Sequence, residues 1–517
     1  MSRYNDYVNH RIRKNSNYGS SFVNAMRESS SFTKTENGMT ARNTTGSYCL
    51  DLFATIGSMR NSSESEICNK FFKAFCEDKL IAMKTVFYGR DVRGGLGERK
   101  VPRIIYKYLA ENYPNIMEKN IEIVPFFGRW DDLYVFVNTP VEDAMWKFFA
   151  KILRKDIYSM NHDSSVTLLA KWAKCWNSGN KDSKILGRKS AKAMGMNNYE
   201  YQKIISSLRK YIDVVEVKMS SKNWGRIDYE AVPSCAMHKH NKAFYKHDGD
   251  RFKNYLGKVQ RGEKKINASA VYPYELVGKY VNFAGDYDYN THKYIYRVNP
   301  ADSVVEAQWK ALPNYVSGHN NVLVMADTSG SMRGMPINSA IGLGIYFAER
   351  NSGPYKNKIM TFSDSPVFVD VVGNTLNEKV RSCVNSHWDN NTNIMKAMRK
   401  ILAVALENNL SSDDLPKALV IISDMQFDSH SDMGRNKDMY TYLENEFAAH
   451  GYTLPNIIFW NVNGPKTFHA KQNSRGVQMY SGNAVSNFKE VLSAIGYNPY
   501  EAMIKTLSNG RYDCVKV

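Results

Sequence analysis

The stretch NVLVMADTSGSMRGMP, residues 321–336, decides the reading of the C-terminal part of the chain. Val322 to Ala326 is an uninterrupted apolar run, expected as a buried strand, and it leads straight into Asp327-Thr328-Ser329-Gly330-Ser331. A carboxylate and two hydroxyls at alternate positions on a glycine-containing turn can point three oxygens at one spot. Hard oxygen donors of this kind suit Mg²⁺, which keeps several waters and takes few protein groups. Downstream, Pro336 to Arg350 has helical apolar spacing, and Lys358 to Phe362 and Pro366 to Val371 are short β-rich runs. Ala418 to Ile422 is a second buried strand ending at Ser423-Asp424, and Ile457 to Trp460 is a last apolar run before the helical stretch Ser486 to Ile495. Strands alternating with helices predict parallel βαβ units. Ligands of such sheets sit at the carboxyl ends of the strands, near the point where strand order reverses. This reading places Asp327, Ser329, Ser331, Thr392 and Asp424 on that edge.

These residues carry a first resemblance. Asp327-Thr328-Ser329-Gly330-Ser331, then Thr392 in DNNTNIM, then Asp424 in ISDM resemble the metal-ion-dependent adhesion site of the von Willebrand factor type A domain. The resemblance implies that Ser329, Ser331 and Thr392 lie near Mg²⁺ or another divalent cation. Asp327 and Asp424 would act directly or through waters, with one position left open for a partner's carboxylate or phosphate.

At 517 residues the chain exceeds ordinary single-domain size, so at least two domains are expected. The N-terminus (MSRYNDYVNHRIRKNS) has no apolar core for a signal peptide, and no run reaches transmembrane length. Seven cysteines are scattered without CxxC pairs, which points to reduced or incidental thiols. A soluble, intracellular, cytoplasmic protein with no membrane partner is the expectation. The net charge of +18 is unevenly spread. From residue 316 onward there are 19 Lys and Arg against 18 Asp and Glu, whereas residues 151–280 hold 26 against 12. A near-neutral domain is thus joined to a basic one, the electrostatic footprint expected for a polyanion.

Three segments follow from these patterns: a polar lead over 1–46, an α-helical domain over 47–315 and an α/β domain over 316–517. In the second, Cys49 to Met59, Glu66 to Phe75, Lys79 to Tyr88, Arg99 to Glu111 and Val141 to Lys155 fit a 3.6-residue period. Further helices are expected at Ser165 to Trp176, Tyr199 to Glu216 and Asp248 to Val259. The succession suggests an α-solenoid, with Val304 to Trp309 packed between the two domains. Arg90 to Arg99 (RDVRGGLGER) is glycine-rich but lacks the G-K-[ST] end of a phosphate loop and follows no strand, so it reads as a turn tied by Arg90 and Asp91. Lys171, Lys174, Arg188, Lys189, Lys192, Arg209, Lys210, His238, Lys239 and His240 are candidate phosphate contacts, with Trp172, Tyr201 or Tyr245 available for base stacking. No Cys/His set has zinc spacing, and no nucleophile triad or dense carboxylate cluster suggests catalysis. A non-enzyme is expected.

A second resemblance covers nearly all of residues 45–510. GRWDDL, LLAKW, VPSCAM, GEKKINASAVYPYEL, VEAQW and DTSGSM, in this order, resemble a family of cellular and viral proteins that join a helical module to a von Willebrand A domain. Those proteins are similar in turn to the Ro autoantigen, or TROVE-domain, proteins. The implied fold is a ring of HEAT-like helical repeats followed by a doubly wound von Willebrand A domain, with residues near 45–70 lying against the domain that begins near 316. The implied function is binding of structured or single-stranded RNA in a ribonucleoprotein. The alternative is a protein-interaction scaffold in which the metal site grips an acidic partner residue. A metal-dependent nuclease is a weaker third reading.

Overall fold

The computed structural model describes residues 31–282, 287–288, 293–294, 297–316, 321–361, 366–384, 393–428, 439–464 and 467–517. It begins with a hairpin, β1 (Phe32–Lys34) and β2 (Thr40–Arg42). The helices α1 (Tyr48–Phe53), α2 (Glu64–Glu77), α3 (Lys79–Arg90), α4 (Lys100–Asn112) and α5 (Glu142–Asn161) follow. Then come α6 (Lys181–Ala193), α7 (Asn198–Tyr211), α8 (Ser234–His247), α9 (Gly249–Gln260), α10 (Pro273–Tyr280) and α11 (Ser303–Lys310). Short polar residues set the breaks by capping, as the backbone N–H groups of a first turn require. Asp78 ends α2 and starts α3, its Oδ1 accepting from Leu80 N at 2.9 Å and Ile81 N at 3.0 Å. Asn197 and Glu200 form a capping box at α7.

The expected helices differ at several ends. The run from Cys49 shortens to α1, because the chain must turn at Gly57 to meet the C-terminal domain. Only Leu169–Trp172 of the expected Ser165 to Trp176 helix forms, a single turn. The Tyr199 to Glu216 pattern breaks after Tyr211, where Asp213 takes φ +54°, and resumes at Val215–Ser220.

The C-terminal part is α/β. Its six strands are β3 (Val322–Ala326), β4 (Lys358–Thr361), β5 (Phe368–Asp370), β6 (Ala418–Ser423), β7 (Asn456–Asn461) and β8 (Val477–Ser481). They lie in the order β8-β7-β6-β3-β4-β5. All neighbours are parallel except β4 and β5, an antiparallel edge pair, so the sheet is mixed. The continuous apolar sequences of β3 and β6 follow from this placement, since both are buried along their whole length. The long helix α12 (Met335–Arg350) follows β3, and α13 (Leu376–Val384), α14 (Ile394–Glu407), α15 (Met439–Ala449), α16 (Asn487–Ser493) and α17 (Pro499–Leu507) complete the domain. Strand order reverses between β3 and β6, whose carboxyl ends carry Asp327 and Asp424. Strand β8 and the helices α13, α15 and α17 have no counterpart in the sequence reading.

Both ends of the helical module close on this domain. At the first end, Gly57 N donates to Ser481 Oγ at 3.0 Å and Gly464 N to Ser58 O at 3.0 Å. The approach is so close that a Cβ on Gly57 would lie 2.8 Å from the backbone of Gly482, which only glycine permits. The C-terminal residues extend this end: Arg511 forks onto Asp91, Tyr512 stacks on Phe127 at 5.6 Å, and Lys516 N donates to Asn120 at 2.9 Å. At the other end α10 lies against α12, where a Cβ on Gly342 would meet Pro273 at 2.9 Å. Trp309 donates to Glu349 at 2.9 Å, and the first turn of α13 donates to Glu306. The Val304 to Trp309 segment therefore packs between the domains, and residues 45–70 lie against the second domain, as the sequence led us to expect.

A candidate cation site and a basic cavity

Asp327 leaves β3 fully buried. Its Oδ2 accepts from Ser423 Oγ at 2.5 Å, and its Oδ1 accepts from Ser329 N at 2.9 Å. The hydroxyls of Ser329 and Ser331 lie 3.1 Å apart. Asp424, also buried, interacts with Ser331 and accepts from Gln426 N at 3.1 Å. Four of the five expected residues are thus brought together at the strand-reversal edge, and Thr392 lies outside the described residues.

The electrostatics show what this arrangement lacks. Burial, and then the neighbouring Asp424 charge, push the Asp327 carboxyl up to about 6. Burial raises Asp424 as well. Two carboxylates out of water at one edge repel, and hydroxyl donors offset only part of that cost. A divalent cation would relieve it, and the donor set is all hard oxygen, so these residues fit Mg²⁺.

A cavity of about 2680 Å³ lies inside the helical module. Its wall is drawn from both ends of the module, from Arg60 in the first part to Tyr315 at the last. Twelve Arg and Lys residues line it against five Glu residues. Several of the cations are neutralised locally: Arg60 by Glu98 at 2.6 Å, Arg90 by Asp132 at 2.8 Å, and Arg103 and Arg129 by Asp131 at 3.0 Å each. By contrast Arg93, Arg99, Lys171, Arg209, Lys210 and Lys239 have no carboxylate within ion-pair distance among the described residues. Trp130, Trp172, Tyr108 and Tyr272 add aromatic surface to the same wall. Arg129 sits 4.1 Å over the Trp172 ring, a cation–π contact.

Residues 35–146 and 159–319 match the family described as Domain of unknown function (DUF2828), and residues 321–508 match Domain of unknown function (DUF7788). The chain belongs to the DUF2828 family. It is 30% identical over 513 residues to "Uncharacterized protein L728" of Acanthamoeba polyphaga mimivirus, covering 92% of this chain and 86% of that protein. Among solved structures it is similar to the Deinococcus radiodurans RO (RSR) protein, at 11% identity and a TM-score of 0.40 over 90% of this chain and 99% of that one. The DUF2828 match spans the lining of the cavity, and the DUF7788 match spans Asp327 to Asp424.

The expected phosphate contacts divide on this framework. Lys171, Arg209, Lys210, Lys239 and His240 line the cavity of the DUF2828 part. Arg209 is also structural, since its guanidinium donates to Ala170 O at 2.9 Å and Ala173 O at 2.7 Å. Lys174, Arg188, Lys189 and Lys192 are not on that wall; Arg188 and Lys192 are exposed on α6, and Lys189 is held by Asn138 at 2.7 Å and Glu142 at 3.2 Å. Burial lowers the pKa of His238 and of His240, which disfavours the charged form of both. Tyr201 is fully buried and cannot stack on a base, and the Tyr245 ring is packed edge-on against Phe252 at 4.9 Å. Of the three expected stacking residues only Trp172 faces the cavity.

Sequence reasoning missed Arg60, Arg93, Arg99, Lys100 and Lys107, because the basic excess lies in 151–280 and these sit in the more balanced first helices. Arg93 and Arg99 were in view within the glycine-rich turn, whose rejection as a phosphate loop hid its place on the cavity wall. That turn is tied as expected: Arg90 to Asp132 and Asp91 to Arg511.

Proposed function

We propose that this chain is an RNA-binding protein of Ro-like design, a non-enzyme, whose closed helical module receives single-stranded RNA in its basic cavity. Structured RNA would lie along the cations outside it, the half-buried Lys174 and the exposed Arg188 and Lys192, to form a ribonucleoprotein. The observation that carries the reading is the cavity wall, with twelve cationic side chains against five carboxylates and aromatic rings between them. That combination suits a phosphodiester backbone with bases stacked on ring faces, and it needs no base-specific hydrogen bonding. In this reading the α/β domain is a von Willebrand A-type domain, and Asp327, Ser329, Ser331, Thr392 and Asp424 hold Mg²⁺ in an adhesion-type site. No described helix is long and apolar enough to cross a membrane.

Electrophoretic binding of single-stranded RNA over a salt series tests the reading. Each phosphate contact contributes a slope of about −0.7 in log K against log salt for single strands. A lumen that engages several phosphates therefore loses affinity steeply as salt rises, with or without EDTA. The buried carboxylate pair supports a second reading, a protein scaffold gripping a partner's acidic residue. That mechanism gives binding abolished by EDTA and nearly indifferent to salt.

A further inference from the structure

The described end of the polar lead, residues 31–42, is docked on the C-terminal domain beside the edge that carries Asp424. The turn between β1 and β2 is fastened to the segment that follows Asp424. Thr35 Oγ1 donates to Phe427 O at 2.7 Å, Glu36 N to Gln426 Oε1 at 2.7 Å, and Asn37 Nδ2 to Gln426 O at 2.7 Å. Gly38 bridges to Asp428, and Arg42 exchanges two backbone hydrogen bonds of 2.8 Å with Phe468. Thr35 and Met39 are buried by this contact, whereas Glu36 at the tip is exposed. Gln426, which holds the Glu36 backbone, is itself held to Asp424 by its own N–H.

One consequence is electrostatic. The Glu36 charge is among the influences that raise the Asp424 carboxyl, so this turn adds negative charge to an edge that already carries two buried carboxylates. Three hydrogen bonds fix an acidic tip where repulsion disfavours it, and a cation in the site would reverse the sign of that interaction. Among the described residues no three His, Cys, Asp or Glu side chains gather to ligand distance, so Glu36 does not stand at that distance from Asp327 and Asp424 although its charge reaches Asp424.

We propose that Glu36 is an internal acidic partner of the cation site, occupying in the loaded protein the place that a ligand carboxylate would take. This rests on the reading of Asp327, Ser329, Ser331 and Asp424 as cation ligands. It makes the N-terminal hairpin a self-ligand, so the site is closed to acidic partners until the hairpin leaves. A glutamate on a docked turn can do this because its backbone is held while its side chain stays free to reach the metal.

The test titrates Mn²⁺ into the full-length protein and into Glu36→Gln, Glu36→Ala and Asp327→Ala, reading affinity calorimetrically and bound-ion hydration by water proton relaxation. Glu36→Gln removes the charge of the carboxylate that would complete the loaded site and is expected to weaken Mn²⁺ binding about 10-fold, the lower end of the 10–100-fold lost even when a group beyond the ligands is removed. Relaxation per bound ion should rise in Glu36→Ala as water enters, and acetate should then compete with that water in the variant but not in the parent. Glu36→Gln with parental affinity and Glu36→Ala with parental relaxation overturn the role of Glu36 and leave the cation site standing. Absence of binding by the parent, or parental binding by Asp327→Ala, overturns the site and this inference with it. Unchanged thermal midpoints in the Glu36 variants exclude loss of the hairpin fold as the cause.

Discussion

Asp132→Ala should lower the stability of the helical module by about 3–5 kcal/mol, the cost of leaving a buried charge without its partner. Asp132 is fully buried and serves three donors at once. It accepts from Arg90 Nε at 2.8 Å, Arg103 Nε at 2.5 Å and the backbone N of Arg129 at 2.8 Å. Arg90 is as deeply buried as its partner, with 2% of its side chain exposed, so water cannot replace the lost carboxylate. Asp132→Asn keeps an acceptor and the packing volume, and its loss should be smaller. Chemical denaturation followed by far-ultraviolet circular dichroism measures both, and equal losses in the two variants would mean that packing, not charge, makes the residue necessary.

Reversing Lys171, Lys210 and Lys239 to Glu together should flatten the salt dependence of RNA binding by about 2 in log–log slope, three contacts at about 0.7 each. These three line the cavity and have no carboxylate within ion-pair distance among the described residues, so their removal breaks no ion pair on which the fold relies. The same reversal at Arg188 and Lys192, exposed on α6, should leave single-strand binding nearly unchanged and weaken only structured RNA. A cavity variant that binds single strands like its parent would move the interaction to the outer face or remove it.

The legible and illegible parts of this molecule differ for physical reasons. The strands β3 and β6 could be read because strands buried on both faces are continuously apolar, and the acidic residues that follow them mark their carboxyl edge. Strand β8 could not, because Val477–Ser481 mixes Gln478 and Ser481 into its run, and tertiary packing overrides that weak pattern. The long amphipathic helices α2 to α5 were clear from period, while α1 ends early before the chain turns onto the C-terminal domain and Leu169–Trp172 forms a single turn among its neighbouring helices. The meeting of Asp327, Ser329, Ser331 and Asp424 was legible because these residues are close in sequence to strand ends. The cavity was only half legible, since its wall joins Arg60 to Tyr315 and no local pattern reports such a pairing. The docking of Glu36 beside Asp424 was invisible for the same reason, its partners lying about 390 positions away.

The central claim is that RNA enters the cavity, and photo-cross-linking tests it most directly. A single-stranded RNA carrying 4-thiouridine is irradiated on the full-length protein at moderate salt and the adducts are mapped by mass spectrometry. The account predicts adducts on the cavity wall, at Trp172, Tyr108, Lys171 and Lys239, suppressed by the Lys171, Lys210 and Lys239 reversal. Adducts confined to the exposed face of α6, around Arg188 and Lys192, with the cavity wall unlabelled, would contradict it.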